Sequence, residues 1–77
     1  MKIINAGFKN NINCEDVIAI SSPGSSPIKR VIKNAKEKDM LIDITEGNRT
    51  CSVIHMKSGH VILSINTPET LKKRINE

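Results

Sequence analysis

Arg49-Thr50-Cys51-Ser52-Val53-Ile54-His55-Met56-Lys57-Ser58-Gly59-His60-Val61-Ile62-Leu63-Ser64-Ile65 is the stretch whose reading decides the fold. Two runs rich in β-branched residues flank Ser58-Gly59, a pair suited to a two-residue hairpin turn. The reading is a strand over Arg49–Lys57 and a second over His60–Ile65. A two-residue loop sets Lys57 opposite His60, His55 opposite Ile62 and Val53 opposite Ser64. Because side chains alternate along a strand, Ile54, Met56, Val61, Leu63 and Ile65 then share one face, the expected core. Arg49, Cys51, Val53, His55, Lys57, His60 and Ile62 share the other. That second face mixes charge with apolar side chains, so Val53, Ile62 and His55 are the expected contacts with another copy.

Upstream of the hairpin, Glu46-Gly47-Asn48 supplies turn chemistry and Met40–Thr45 reads as a strand. Before that comes the clearest helix start in the chain. Ser26 reads as the N-cap, and Pro27 suits the first helical position, where a missing N–H costs nothing. Ile28, Val31, Ile32 and Ala35 then recur at i, i+3, i+4 and i+7, making one apolar stripe with Lys and Arg around it. Val17–Ser21 is a β-branched run stopped by Ser22-Pro23-Gly24, and Lys2–Phe8 reads as a short strand ending near Gly7. Downstream, Thr67-Pro68-Glu69 opens a second helix whose Glu69 and Lys72, Lys73 and Arg74 suit the helix dipole. The sum is a small α+β domain spanning residues 1–77: mainly antiparallel strands, one central helix and a short C-terminal helix.

Seventy-seven residues leave room for one domain, and a chain this short buries only about 60–65% of its unfolded surface. Phe8 is the only aromatic residue, and core is its expected place. Small domains compensate for a thin core with disulfides, metals or association. Cys14 and Cys51 allow one bridge at most. The sequence shows neither a signal peptide nor the roughly 20 apolar residues of a membrane span. A cytoplasmic protein with free thiols is expected, and association is the remaining remedy.

Twelve Lys and Arg against eight Asp and Glu give a net charge of +4 and a pI near 9.3. The excess gathers at Lys29, Arg30, Lys33, Lys36 and Lys38, and again at Lys72, Lys73 and Arg74. Such clusters attract polyanions, although charged residues also simply solvate helix faces. Catalytic chemistry finds little support. His55, His60 and Cys51 lack the paired short spacing of a structural zinc site. No phosphate-cradling glycine loop is present, and Asp39 and Asp43 fit capping and strand-surface roles. No enzyme, metal, cofactor, small-molecule substrate or membrane partner is expected. The lack of aromatic platforms argues against base stacking on single strands.

Several segments in register carry a family resemblance: Ser22-Pro23-Gly24-Ser25-Ser26-Pro27-Ile28-Lys29-Arg30, Leu41-Ile42-Asp43 through Gly47-Asn48-Arg49-Thr50, His60-Val61-Ile62-Leu63-Ser64 and Pro68-Glu69-Thr70. From about Ile3 to Ile75 the chain resembles the RemA family, extracellular matrix regulatory protein A. That resemblance implies a ring-forming, DNA-binding transcriptional regulator of biofilm matrix genes, with duplex DNA following the outer surface through backbone contacts. The chain departs from the family where Asn48, Cys51 and Asp16 stand in place of arginines. Arg49 is kept, and Lys9 replaces a small glycine. The expected DNA-contacting set is Arg49, Asn48, Lys9, Lys57, Lys29 and Arg30. The alternative is an oligomeric scaffold or protein-interaction paralogue that has lost DNA binding.

Overall fold

The computed structural model describes residues 1–77. Strands β1 (Ile3–Asn5) and β2 (Asn11–Asn13) form an antiparallel pair, and a 3-10 turn at Cys14–Asp16 leads into β3 (Val17–Ser21). Helix α1 (Ser26–Glu37) follows, then β4 (Leu41–Asp43), β5 (Ser52–Met56), β6 (Val61–Ser64) and α2 (Pro68–Asn76). β3, β5, β6 and β4 lie side by side in that order. The β3–β5 and β5–β6 pairs are antiparallel, as expected, whereas β4 runs parallel to β6. The result is α+β.

The sheet is covered on both faces. α1 lays Ile28, Val31, Ile32 and Ala35 over Val53, Val61 and Leu63. On the opposite face the β1–β2 pair and α2 place Ile4, Ala6, Ile12 and Leu71 over Ile54 and Ile62. The apolar stripe of α1 therefore does what its spacing requires. Its cap is Ser25 rather than Ser26: the Ser25 hydroxyl accepts from the Ile28 amide at 3.4 Å, and Pro27 falls within the first turn. Thr67 caps α2 by accepting from the Thr70 amide at 3.2 Å.

The hairpin departs from its two-residue reading. Gly59 takes a positive φ of 95°, and the loop is Lys57-Ser58-Gly59, closed by Met56 N–H to His60 O at 3.0 Å. A three-residue loop with glycine in the left-handed position is the next commonest hairpin connection. Ile54 consequently pairs with Ile62, His55 with Val61 and Val53 with Leu63. A slip of one residue exchanges the faces of a strand. Val53 is thus fully buried under α1, and Ile62, 7% exposed, lies in the opposite layer. The two do not share a face, and neither offers area to another copy. His55 is half-buried on the α1 side, its Nε2 3.0 Å from the Ser21 hydroxyl. The expected contacts at Val53 and Ile62 are corrected on this point, while His55 keeps part of its surface.

Phe8 is likewise not core. It sits 44% exposed at the tip of the β1–β2 pair with φ of 49°. The buried apolar contacts of that pair come from Ile4, Ala6 and Ile12 instead.

Candidate nucleic-acid interface

β5 begins and ends in loops that carry the main candidate cations. Arg49 and Asn48 belong to the segment joining β4 to β5, which is tied by its own side chains. Asp43 Oδ1 accepts from the Thr45 hydroxyl at 2.6 Å and from the Thr45 amide at 2.9 Å. These two bonds, the hydroxyl first, hold the Asp43 carboxyl below its ordinary pKa, with a small opposing push from burial. Glu46 and Gly47 then take positive φ of 52° and 81°, a reversal that glycine makes at no steric cost. Asn48 closes the turn twice, its amide N–H and its side-chain Nδ2 each donating to Thr45 O at 3.0 Å. One donor of the Asn48 side chain is therefore used in holding the loop. Arg49 follows with its side chain exposed.

Three other segments reach this end of the sheet. Cys51 N–H donates to Ser64 O at 2.8 Å, and the Ser64 hydroxyl donates to Ala6 O at 2.7 Å. The β1–β2 tip therefore adjoins the start of β5, and Lys9 sits on that tip, exposed, with φ of 64°. Gly7 packs closely beneath it: a Cβ there would lie 3.0 Å from Ile65 Cγ1. β3 ends at the same side, since Ser21 pairs with Val53, and five residues later α1 begins with exposed Lys29 and Arg30 in its first turns. Lys9, Lys29, Arg30, Asn48 and Arg49 thus belong to one end of the sheet.

Lys57 does not. It lies in the β5–β6 loop at the far end, and its amide donates to Asp16 O at 2.7 Å. Asp16 is exposed there beside Glu15, and its carboxylate accepts from Asn13 Nδ2 at 3.2 Å. Of the two basic groups of α2 and the N-terminus that are engaged internally, Arg74 donates to Asn5 O and Asn66 Oδ1, and Lys2 donates to Ile75 O and Glu77 O. The ion pair in the structure joins the Met1 amino group to Glu15 at 3.3 Å and uses no lysine or arginine. The charges of Arg49, Lys9, Lys29 and Arg30 face solvent.

Comparison with known sequences matches this arrangement to one family. The model of the RemA-like family, described as extracellular matrix regulatory protein A-like, fits residues 3–75. A protein of Carboxydothermus hydrogenoformans is 53% identical over 76 residues, covering 99% of this chain and 87% of its own. One from Cyanothece sp. (strain PCC 7425) is 57% identical over 74 residues, covering 96% and 81%. One from Acetivibrio thermocellus is 50% identical over 76 residues, covering 99% and 82%. All three bear the name of a regulatory protein. The chain belongs to the RemA-like family.

Proposed function

We propose that this protein is a cytoplasmic, homo-oligomeric transcriptional regulator of the biofilm-matrix type that grips the backbone of duplex DNA through a repeated basic surface. The observation that carries the reading is Arg49, exposed on a loop braced by Asp43, Thr45 and Asn48, at the end of the sheet shared by Lys9, Lys29 and Arg30. Membership in the RemA-like family and the regulatory names of its relatives support it.

Phosphate contacts displace condensed counterions, and each contributes about −0.9 to the slope of log K against log salt. One protomer offers a handful of such contacts and binds weakly. Linked copies convert later contacts into intramolecular ones, with effective concentrations in the millimolar range for short spacings. With 14 of 77 residues buried and ten apolar residues in the core, association has a second motive, since an interface adds burial the single chain lacks. Sequence preference in this scheme comes from DNA shape and bendability rather than base edges. The test is Arg49→Ala: duplex binding, followed by fluorescence anisotropy at low salt, is expected to be lost while light scattering reports an unchanged oligomer. Unaltered affinity in that variant removes Arg49 from the account.

A second reading is an oligomeric scaffold that keeps the assembly without the DNA. Exposed Asp16 and the Asn48 side chain committed to Thr45 favour it. It predicts negligible duplex binding at about 100 mM salt, where a phosphate reader of several contacts still holds.

A further inference from the structure

We propose that Phe8 is an apolar wedge for the duplex, its ring entering a flexible base step from the minor groove while Lys9 beside it takes a phosphate. This rests on the DNA-binding reading above and adds to it a residue that carries no charge. The β1–β2 connection turns through Gly7-Phe8-Lys9-Asn10, closed by Asn10 N–H to Gly7 O at 2.9 Å. Its two central residues take φ of 49° and 64°. Positive φ at both positions is what a type I′ hairpin turn requires, and Asn-Gly is the usual pair there because it meets that demand with little strain. A bulky side chain in that region is an outlier. This chain sets its one aromatic residue there, with a lysine after it. Such conformations persist where the surroundings hold them, and they gather at ligand contacts.

The tip is held from several sides. Gly7 N–H donates to Asn5 Oδ1 at 2.8 Å, and Ala6 N–H donates to Asn10 O at 2.7 Å. Asn10 Nδ2 donates to Gly7 O at 3.0 Å and to Phe8 O at 3.4 Å. Arg74 of α2 donates to Asn5 O, and the Ser64 hydroxyl of β6 donates to Ala6 O. None of these bonds uses the phenyl ring. The ring is 44% exposed and belongs to neither buried cluster, so the fold gains little by keeping it in a strained place. A tip fixed in this way presents the ring at small cost in ordering. The neighbouring charges then choose the partner. Lys9 is adjacent, and Arg49, Lys29 and Arg30 occupy the same end of the sheet. An apolar ring among cations suits a polyanion with apolar surface inside it, and duplex DNA is one. Inserted side chains such as Phe part a base step and kink the helix, most readily at TA and CA steps. With no hydrogen-bonding atom, the ring responds to deformability and not to base edges.

The test compares wild type with Phe8→Ala on a duplex with a central TA step, by anisotropy across a salt series. Phe8→Ala is expected to bind about tenfold more weakly with an unchanged salt slope, since a phenyl ring releases no counterions. With 2-aminopurine replacing the adenine of that step, wild type is expected to raise the fluorescence by unstacking the base, and Phe8→Ala to leave it as in free duplex. Phe8→Leu keeps an apolar wedge and is expected to restore most of the affinity. Circular dichroism and light scattering check fold and mass, and Phe8→Gly repeats the experiment should alanine disturb the turn, because glycine holds positive φ freely. Wild-type affinity and fluorescence in Phe8→Ala overturn the wedge while leaving the DNA reading in place. Loss of oligomeric mass in that variant assigns the ring to a contact between copies and overturns the wedge. So does binding to phosphatidylserine vesicles that vanishes in Phe8→Ala while duplex affinity stays equal, which assigns the ring to a membrane surface. A wild type that binds no duplex even at low salt overturns the DNA reading itself, and the wedge with it.

Discussion

The loops at the two ends of β5 are alike in sequence and opposite in setting. Each holds a glycine with positive φ and a basic residue: Gly47 with Arg49 at one end, Gly59 with Lys57 at the other. The Arg49 loop is braced by three side chains and shares its end of the sheet with Lys9, Lys29 and Arg30. The Lys57 loop is bonded to Asp16, with Glu15 adjacent, so its field is mixed. Net charge alone does not distinguish the two. What matters is which cations the topology gathers and how firmly their backbone is held.

The widest contrast is between Arg49→Ala and the same change at Lys57. Because every linked copy loses the contact, Arg49→Ala is expected to weaken duplex binding at least a hundredfold by anisotropy at low salt, about 2.7 kcal/mol. Next in size is Gly7→Ala, which forces a Cβ to 3.0 Å from Ile65 at φ of 112°. Strain of this kind costs about 1–3 kcal/mol, read as a lower urea midpoint, and it disturbs the tip that carries Lys9. Asp43→Ala removes both bonds to Thr45 and is expected to cost about 1 kcal/mol.

That contribution also depends on pH. The folded-state pKa of Asp43 is lowered, so its stabilisation is fully present above the unfolded value of about 3.9 and is lost as pH falls through the folded value. Acid titration of wild type and Asp43→Ala should therefore converge at low pH. The smallest effect belongs to Lys57→Ala, expected within about twofold of wild-type affinity, roughly 0.4 kcal/mol. A Lys57 effect as large as that of Arg49 erases the contrast between the two ends.

Much of this arrangement was legible in the residues. Pro27 with the Ile28–Ala35 stripe identifies α1, and Thr67-Pro68 identifies the start of α2. Glu46-Gly47-Asn48 marks the turn that carries Arg49. The hairpin register was not legible, because Ser58-Gly59 serves two- and three-residue loops alike, and the difference lies at Ser58, which does not take the positive φ that a two-residue I′ turn requires of both central residues. That single choice moved Val53 and Ile62 from a shared surface into two separate buried layers. β2 was missed because Asn11-Ile12-Asn13 has turn residues around one apolar side chain, and its strand character comes from Ile12 pairing with Ile4. The parallel β4–β6 pair was missed because it is set by α1 crossing the sheet, a tertiary matter. Grouping Lys9 with Arg49 required the Ser64–Ala6 contact, 58 residues apart in sequence.

The most direct measurement is the salt dependence of wild-type binding to a duplex, taken from low to physiological ionic strength. Copies that each place Arg49 and its neighbours against phosphate predict a log–log slope steeper than about −3, beyond three neutralised phosphates. A flat slope, or no binding even in dilute buffer, contradicts a repeated cationic grip on the DNA backbone.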